Sequence, residues 1–408
     1  MTTTQTPELS AEARQVHHDW LATLTSIPTV AGREGRVIRW IRDWVSQRPE
    51  LTISTDDHGN MTIRRTEPFA PGDPVYITAH LDHPGFAVDA IEGEQELVLA
   101  FRGGVMEDYF KDARVHVHPA QGECMPATIV ERVMPQSADN ELFSRYRARL
   151  DEGHTTEGLS TEDIATWALP DAFVTEGILH APACDDLAAA AAALASLDAL
   201  LKLKSEGESI GRDARVFFTR AEEIGFVGAI GACRSKTIPE DSPVIALENS
   251  RAFDDSPIGG GPIVRVGDRL TVFTPRLTAA VAARAEAIAG GPATPTAAQK
   301  QADMPKWRWQ RKLMAGGACE ATVFCAAGYE ATCVCLPLGN YHNMADLTAV
   351  QAGTNTTPPA IGSEQIALSD FDGLVDLLVA CGRELTPGGG IEQRLQKIWD
   401  DRGFVLSE

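Results

Sequence analysis

The sequence lacks the features that mark membrane, secreted and nucleic-acid-binding proteins. No apolar run is long enough to cross a bilayer, and the start MTTTQTPELSAEARQ has neither the basic nor the apolar part of a signal peptide. Positive charge is scarce, because 36 Lys and Arg against 57 Asp and Glu give a formal net charge of −21, which repels phosphates. We therefore expect a cytoplasmic protein with no membrane partner and no nucleic-acid partner.

Cysteine is present without the pattern of a disulfide framework or a zinc finger. The eight cysteines include no Cys-x-x-Cys pair, and several lie in apolar runs such as ATCVCLPL. We expect them to be reduced thiols packed in the core. At 408 residues the chain is long enough to bury a large core and to form one to three domains.

The periodicity of the chain predicts an α/β protein interrupted by a β-rich stretch. Residues 1–86 combine helical patterns with a hairpin and a buried strand, and residues 179–408 alternate helices and strands. Between them, residues 87–178 contain short strand patterns separated by Gly and acidic turns, with a polar part over 136–166 that we expect to be flexible or helical. We predict a domain of two parts, 1–86 and 179–408, around an inserted β-rich domain (87–178) that makes subunit contacts or controls access.

Polar side chains follow several of the predicted strands at the point where each strand ends. They are His80 and Asp82 in AHLDHPG, Asp185 and Asp186 in APACDDLAA, Glu222 and Glu223 in FFTRAEEIGF, Glu248 in VIALENS, and His342 in LPLGNYHN. Open α/β sheets place ligand sites outside the carboxyl ends of their strands. Carboxylates gathered in such a crevice repel one another, and two divalent cations are the simplest compensation. Histidine nitrogen with carboxylate oxygen suits zinc, with cobalt and manganese as alternatives.

Each of these groups also has a purely structural explanation. Asp185 and Asp186 could cap a helix that begins at Leu187, and the two glutamates at 222 and 223 could occupy the first turn of a helix. Glu248 could cap the end of its strand, and His342 could be an ordinary loop histidine. A further pair, His116 and His118, could chelate a metal, but without a third ligand nearby we expect a polar sheet face.

Taken together, the motifs resemble one family of dinuclear metallopeptidases, the glutamyl aminopeptidase and tetrahedral aminopeptidase family. The resemblance rests on AHLDHPG, ACDDLA, TRAEEIGFVGA and LPLGNYHN, and on GFAVDAI, FRGGV and RVHVHPA, which resemble the family's entry into an inserted β-domain. It covers nearly the whole chain. It implies the zinc-peptidase fold, a mixed twisted sheet sandwiched by helices with an inserted β-rich domain, and a homo-oligomer.

The same resemblance implies a role for each motif residue. His80 and Glu248 would bind one metal ion, Glu223 and His342 the second, and Asp185 would bridge the two. Glu222 would be the general base and acid, and Asp82 would support these groups within the catalytic machinery. The peptide bond between Asp185 and Asp186 is expected to be cis.

These roles imply a metal-dependent aminopeptidase that acts on short peptides or amino-acid amides. A hydroxide bridged by two metal ions would attack the carbonyl carbon, with Glu222 transferring the proton. A related deacylase acting on N-acyl amino acids and a catalytically degenerate binding protein are the alternatives. A glycosidase is disfavoured because its two carboxyls face each other across a sugar, without two histidines joining them.

The chain departs from the family at positions that line the substrate side. Gly316–Glu320 reads Gly-Gly-Ala-Cys-Glu where similar proteins have Gly-Gly-Thr-Asp, and Gly339-Asn340 replaces an Arg-Tyr pair. Leu187 stands where Arg is frequent, and Glu248 where Asp is. Glu320 could therefore anchor a substrate amine or simply start a surface helix, and Cys319 could be an extra ligand or a packed thiol.

Overall fold

The computed structural model describes residues 9–72, 74–134, 142–293, 307–386 and 390–407. Its strands, in chain order, are β1 (Leu51–Thr55), β2 (Met61–Arg65), β3 (Val75–His80), β4 (Gly85–Ile91), β5 (Glu96–Arg102), β6 (Arg114–His118), β7 (Met125–Val133), β8 (Arg145–Leu150), β9 (Ile164–Trp167), β10 (Phe173–Thr175), β11 (Ile178–Ala181), β12 (Ala214–Thr219), β13 (Val244–Arg251), β14 (Ile263–Asp268), β15 (Gln310–Met314), β16 (Ala331–Leu338) and β17 (Glu364–Ala367). Eight of them form one large sheet in the order β1-β2-β12-β3-β13-β16-β14-β15.

The described chain also contains helices, several of which cover the two faces of this sheet. They are α1 (Ala11–Ser26), α2 (Gly35–Ser46), α3 (Leu187–Ser205), α4 (Val227–Ser235), α5 (Pro275–Ala289), α6 (Glu320–Ala326), α7 (Leu347–Ala352), α8 (Leu368–Arg383) and α9 (Ile391–Arg402). The core on one face includes α1, α3, α5 and α8, whereas α4 and α6 belong to the smaller cores on the other. The predicted mixed α/β architecture is confirmed. No described helix is long and apolar enough to span a membrane.

The middle of the sheet is parallel and buried. Strands β12, β3, β13 and β16 are neighbours that run in the same direction, so their carboxyl ends meet at one edge of the sheet. Along β3, Val75 and Ile77 face the larger core whereas Tyr76 faces the other side, as the two-residue period of a strand requires. This edge is where the motif residues of the sequence lie.

Helix α3 is packed against the sheet along almost its whole length. Its sequence LAAAAAALASLDALLKLKS consists mainly of strong helix formers. All of its residues from Leu187 to Leu197 are buried, and small alanines let the helix approach both the strands and α8 closely. Leu187, where the family frequently has Arg, is therefore a core residue at the start of this helix.

A closed six-stranded barrel, in the order β4-β5-β8-β7-β6-β9, occupies residues 85–167. An aromatic cluster of Phe86, Phe101, Phe110 and Trp167 fills its interior. The prediction of a flexible or helical segment over 136–166 was wrong where the structure describes it, because β8 and β9 lie there and complete the barrel. Residues 135–141 lie outside the described part of the chain.

Two further features of the strands bear on the motif residues. Strand β13 does not stop at Glu248 but continues to Arg251, because the residues after Glu248 keep pairing with Leu336–Leu338 of β16. A small sheet, β10-β11-β17, pairs Ala181 with Glu364. It thereby brings a distant part of the chain next to the turn that carries Asp185.

Candidate metal centre

The structure brings all five predicted ligands together at the carboxyl edge of the parallel strands. His80 ends β3, Glu248 lies in β13, Glu223 lies in the loop after β12, Asp185 precedes α3 and His342 follows β16. Their ligand atoms fall into overlapping groups of three or four in which all atoms lie within 4.8 Å of one another. Glu222 belongs to one of these groups with His80 and Glu223.

Asp185 lies between the two histidines. Its Oδ1 is 3.4 Å from His80 Nε2, and its Oδ2 is 3.6 Å from His342 Nε2. On the first side, Glu248 Oε1 is 3.7 Å from His80 Nε2, and on the second side Glu223 Oε2 is 3.4 Å from His342 Nε2. Asp185 is thus the shared carboxylate, and on each of its two sides lie one histidine and one further carboxylate.

Both histidines are oriented by hydrogen bonds from their other ring nitrogen. Nδ1 of His80 lies 3.1 Å from the carbonyl oxygen of Asp82, and Nδ1 of His342 lies 2.7 Å from that of Gly104. A carbonyl oxygen can only accept, so each Nδ1 carries a hydrogen, and in the neutral ring Nε2 is then the lone-pair donor. This is the tautomer in which a histidine binds a metal through Nε2.

The residues fit a pair of divalent cations. Asp185 Oδ1 and Glu223 Oε1 are buried and have no hydrogen-bond partner within the described chain, which is costly for a carboxylate unless a cation is its partner. Two ligands of a tetrahedral zinc ion are about 3.3–3.6 Å apart when each lies about 2.0–2.2 Å from the metal. The separations of 3.4–3.7 Å between histidine and carboxylate atoms correspond to this spacing.

Asp82 supports the loop that carries the two glutamates. Its Oδ1 accepts the N–H of Glu222 at 2.9 Å, and its Oδ2 accepts that of Glu223 at 3.0 Å. Just before them, Ala221 has a left-handed backbone with φ of 54°, and its N–H is bound by the buried carboxylate of Glu34 at 3.0 Å. The two glutamates are thus fixed by two carboxylates from elsewhere in the chain.

The pKa values of the carboxylates in the centre shift in opposite directions. Burial raises the pKa of Glu222 well above its ordinary value, and nearby Glu248 raises it further although His80 opposes this. For Asp185, burial is outweighed by the contacts with His342 and His80, which lower its pKa below the ordinary value. Burial raises the pKa of Glu223 and Glu248 too, so the position of Glu222, rather than its pKa, distinguishes it from these two. A raised pKa suits a group that takes up and returns a proton.

The structural alternatives fit less well. Asp186 stands at the N-cap position of α3 but makes no capping hydrogen bond; its Oδ2 accepts the N–H of His80 at 3.3 Å instead. The peptide bond between Asp185 and Asp186 is cis, as the resemblance implied. Glu222 and Glu223 precede α4 and are not in its first turn.

The second histidine pair, His116 and His118, belongs to no group of three or more clustered metal-binding side chains among the described residues. His118 Nε2 lies 2.9 Å from Thr166 Oγ1 on the neighbouring strand, and both side chains are partly buried. The sheet-face interpretation is therefore the one that the contacts support.

A cavity of about 670 Å³ opens over the centre. Asp185, Glu222, Glu223, Glu248 and His342 line its floor, and basic side chains of Arg251, Arg265 and Lys312 line its wall. Gly316–Ala318, part of the stretch that departs from the family, also lines it.

The next two residues of that stretch, Cys319 and Glu320, do not line the cavity. Cys319 is a fully buried thiol in a core cluster with Phe273 and Cys333, which agrees with a packed thiol. Glu320 starts α6 as one alternative predicted, but it is buried rather than on the surface. Its Oε2 accepts the hydroxyl of Thr219 at 2.8 Å, and it is not among the residues that line the cavity.

Sequence reasoning missed several residues behind the centre. Glu364, Glu34 and His83 are buried and hydrogen-bond to the backbone that carries the motif residues. Glu364 lies 22 residues after His342 and in no recognisable motif, so only the pairing of β17 with β11 reveals its place. His83 lies within the motif AHLDHPG. Its presence there as a further polar residue was the one sequence signal that could have pointed to it.

Comparisons with known proteins agree with the motifs. The M42 glutamyl aminopeptidase family model matches residues 59–289. No curated protein sequence matches the chain significantly.

Several solved structures share the fold. The aminopeptidase APDkam598 of Desulfurococcus kamchatkensis is 20% identical with a TM-score of 0.69, covering 93% of this chain and 98% of its own. The TET1 peptidase of Pyrococcus horikoshii, which can assemble into a tetrahedron or a large octahedral shell, is 19% identical with a TM-score of 0.67 over 90% and 100%. A Thermotoga maritima protein described as an endoglucanase is 20% identical with a TM-score of 0.58 over 92% and 99%.

Proposed function

Because this chain belongs to the M42 glutamyl aminopeptidase family, we propose that it is a metal-dependent aminopeptidase that removes N-terminal residues from short peptides. The observation that carries the proposal is the bridge geometry, in which Asp185 faces one histidine Nε2 at 3.4 Å and the other at 3.6 Å. Such a centre suits hydrolysis at a carbonyl group with no covalent intermediate.

The roles of the residues follow from their positions. His80 and Glu248 would hold one divalent ion, Glu223 and His342 the other, and Asp185 would bridge both; zinc suits these ligands, with cobalt and manganese as alternatives. When bound, the ions would lower the pKa of a water and polarise the substrate carbonyl. Glu222 lines the cavity and would take the proton of the attacking water on its carboxylate, then deliver it to the leaving amine nitrogen.

A substrate panel with metal analysis tests this function. We expect the purified protein to contain two divalent ions per chain and to hydrolyse chromogenic aminoacyl amides with a free amine. Cleavage of N-acetyl amino acids alone would instead identify a deacylase, and binding without any hydrolysis would identify a degenerate binding protein. Carboxymethyl cellulose is a suitable control substrate, because one structural neighbour is described as an endoglucanase.

We also propose that the substrate carries an acidic N-terminal side chain. Arg265 lines the cavity although only 2% of it is exposed. Its Nη1 donates to Ser250 Oγ at 3.2 Å, and its Nε has no partner within the described residues. The described residues form no ion pair with it, although the charge of Glu248 acts on it from farther away. A buried guanidinium that forms no direct ion pair is unfavourable, and a substrate carboxylate would provide that pair.

The acidic preference can be measured with glutamyl and leucyl p-nitroanilides. We expect Arg265→Gln to lower kcat/KM for the glutamyl substrate by about 10- to 100-fold, the value of a hydrogen bond to a charged group, and to change the leucyl value much less. Arg251→Gln is the matched control, because Arg251 lines the same cavity but is already bonded to Thr348 and Gln351. An equal loss for both substrates would contradict the assignment.

The remaining features concern the whole chain. We propose a cytoplasmic homo-oligomer, supported by the assemblies described for the Pyrococcus horikoshii neighbour. We also propose that the chain divides at residues 86 and 178 around an inserted domain that makes subunit contacts or controls access. The barrel at 85–167 supports this division. Multi-angle light scattering of the full chain, which we expect to give a multiple of 43.9 kDa, tests the oligomer.

A further inference from the structure

Glu364 is a buried carboxylate directly behind the metal centre. It is the first residue of β17, which pairs with β11, and it lies opposite Ala181. Its side chain is fully buried. Its carboxylate accepts hydrogen bonds from backbone N–H groups only.

Both oxygens of Glu364 are used, and each holds a different part of the chain. Its Oε2 accepts the N–H groups of Cys184 at 2.7 Å and Asp185 at 2.9 Å. Its Oε1 accepts the N–H of His342 at 2.8 Å. A carboxylate that accepts several backbone N–H groups is bound strongly, so Glu364 ties together two ligand-bearing segments that are 157 residues apart in sequence.

Those two segments need such support more than the others. His80 and Glu248 are held by the strand pairs that join His80 to Thr219 and Glu248 to Cys335. Asp185 lies in the turn before α3, and His342 lies in a short helical turn where its own φ is 54°. Neither is fixed by a sheet ladder. Glu364 joins the two segments directly, and a second link passes through His83, which lies between the carbonyl oxygen of Asp185 and Oδ1 of Asn343.

We propose that Glu364 is a positioning residue that sets the distance between Asp185 and His342 and so determines the affinity of the second ion. The proposal rests on the proposed function, because it presupposes that two ions bind. When Glu364 is changed, His80 and Glu248 are still held by their strand pairs, so the first ion would keep these two ligands in place. Loss of Glu364 therefore affects the two ions unequally.

Glu364→Gln tests the proposal with little change in shape. Glutamine has one acceptor oxygen, so it can hold the Asp185 segment or the His342 segment, but not both. We expect the variant to keep the first ion and to bind the second about 10- to 100-fold more weakly, as is typical when a group that orients a metal ligand is removed. The readouts are ion stoichiometry in metal buffers and the visible absorption of the Co²⁺-loaded protein, both independent of activity.

Asp370→Asn is the matched control. Asp370 is also buried and also accepts two backbone N–H groups, from Gly259 at 2.7 Å and Gly261 at 2.8 Å, but it touches no ligand. We expect this variant to bind both ions as the wild type does. Glu364→Asp, which keeps two acceptor oxygens on a shorter side chain, should recover part of the lost affinity, and it decides the question if the Gln variant does not fold.

The outcomes separate the two proposals. Wild-type affinity for both ions in Glu364→Gln, equal weakening of both ions, or the same loss in Asp370→Asn would each overturn the positioning role alone. A wild-type protein that binds fewer than two ions would overturn the proposed function and the positioning role together.

Discussion

Among single residues, Glu222 is the one that we propose as the general base. Its N–H is fixed by Asp82 at 2.9 Å, and its carboxyl lines the cavity. We expect Glu222→Gln to keep both ions but to lose more than about 10²-fold in kcat, because an amide cannot take up the proton. Metal analysis together with steady-state kinetics measures both effects. Full activity in this variant would show that the base is another group.

Glu320 is expected to make the free energy of unfolding depend on pH. Burial raises its pKa from the ordinary 4.5 to about 7, so the folded chain holds a proton there that the unfolded chain has released. Its stabilising effect is complete below about pH 4.5 and is lost as the pH rises through about 7. The free energy of unfolding of the metal-free wild type should therefore fall between these values.

The variant Glu320→Gln isolates this contribution. Between pH 5 and 7 its free energy of unfolding should decline less steeply than that of the wild type, by up to about 1.4 kcal/mol per pH unit, the value for one proton. Urea unfolding of both metal-free proteins over this range measures the difference. Identical slopes would mean that Glu320 has no raised pKa.

At the scale of elements, the start of α4 holds the loop of the two glutamates in place. Gly228 donates its N–H to the carbonyl of Arg220 at 2.9 Å, and a Cβ on Gly228 would lie 2.3 Å from that same oxygen. We expect Gly228→Ala to destabilise the fold by about 1–3 kcal/mol and to reduce activity, because Arg220 leads directly into the loop. Thermal melts and kinetics are the measurements.

Gly35→Ala is the control for that substitution. Gly35 also lies at a helix start, in α2, and its added Cβ would meet only Arg39 Nη1 at 3.6 Å, an ordinary contact. We expect stability equal to or slightly above the wild type there. If both variants behaved alike, the close approach to Arg220 would not be the cause.

The elements also show how far sequence reasoning reaches. The strand patterns over 51–55 and 61–65, on either side of the turn DDHGN, predict a hairpin, and β1 and β2 form it with these bounds, because a turn between two short strands is a local signal. Strand β13 exceeded its predicted end because its last residues pair with β16, which no local pattern records. The same holds for β8 and β9, which pair with β5 and β4 from much earlier in the chain, because strand formation depends on such context.

The residues of the candidate centre also form two groups: those that sequence motifs reveal and those that only the folded chain reveals. The residues predicted to bind metal carry motifs and were brought together by the carboxyl ends of the parallel strands, a rule that sequence alone can apply. The roles that we propose for Glu364 and Arg265 rest on contacts between distant parts of the chain, and neither residue belongs to a motif. Their roles depend on the pairing of β17 with β11 and on the shape of the cavity, which require the folded chain.

For the whole molecule, the centre concentrates negative charge in a chain that already has a net charge of −21. Bound cations would therefore stabilise the folded state, by about 4 kcal/mol for an ion present at 1,000 times its Kd. We expect a chelator to lower the Tm and added Zn²⁺ to restore it. In calorimetry the Asp185→Asn variant, which lacks the full bridging carboxylate, should respond much less. A Tm unaffected by chelation would contradict a resident pair of ions.

The hydrogen bond from His342 Nδ1 to the carbonyl of Gly104, at 2.7 Å, has a consequence for engineering and for evolution. Gly104 lies in the connection between β5 and β6 of the barrel. The barrel therefore supplies a contact that orients a residue of the centre, and removing the barrel would remove that contact. A chimera that grafts a foreign barrel onto this scaffold would have to reproduce that one backbone oxygen, or the imidazole would turn away. For the same reason, we expect few substitutions to be tolerated in this connection during evolution, even at positions whose side chains do not contact the substrate.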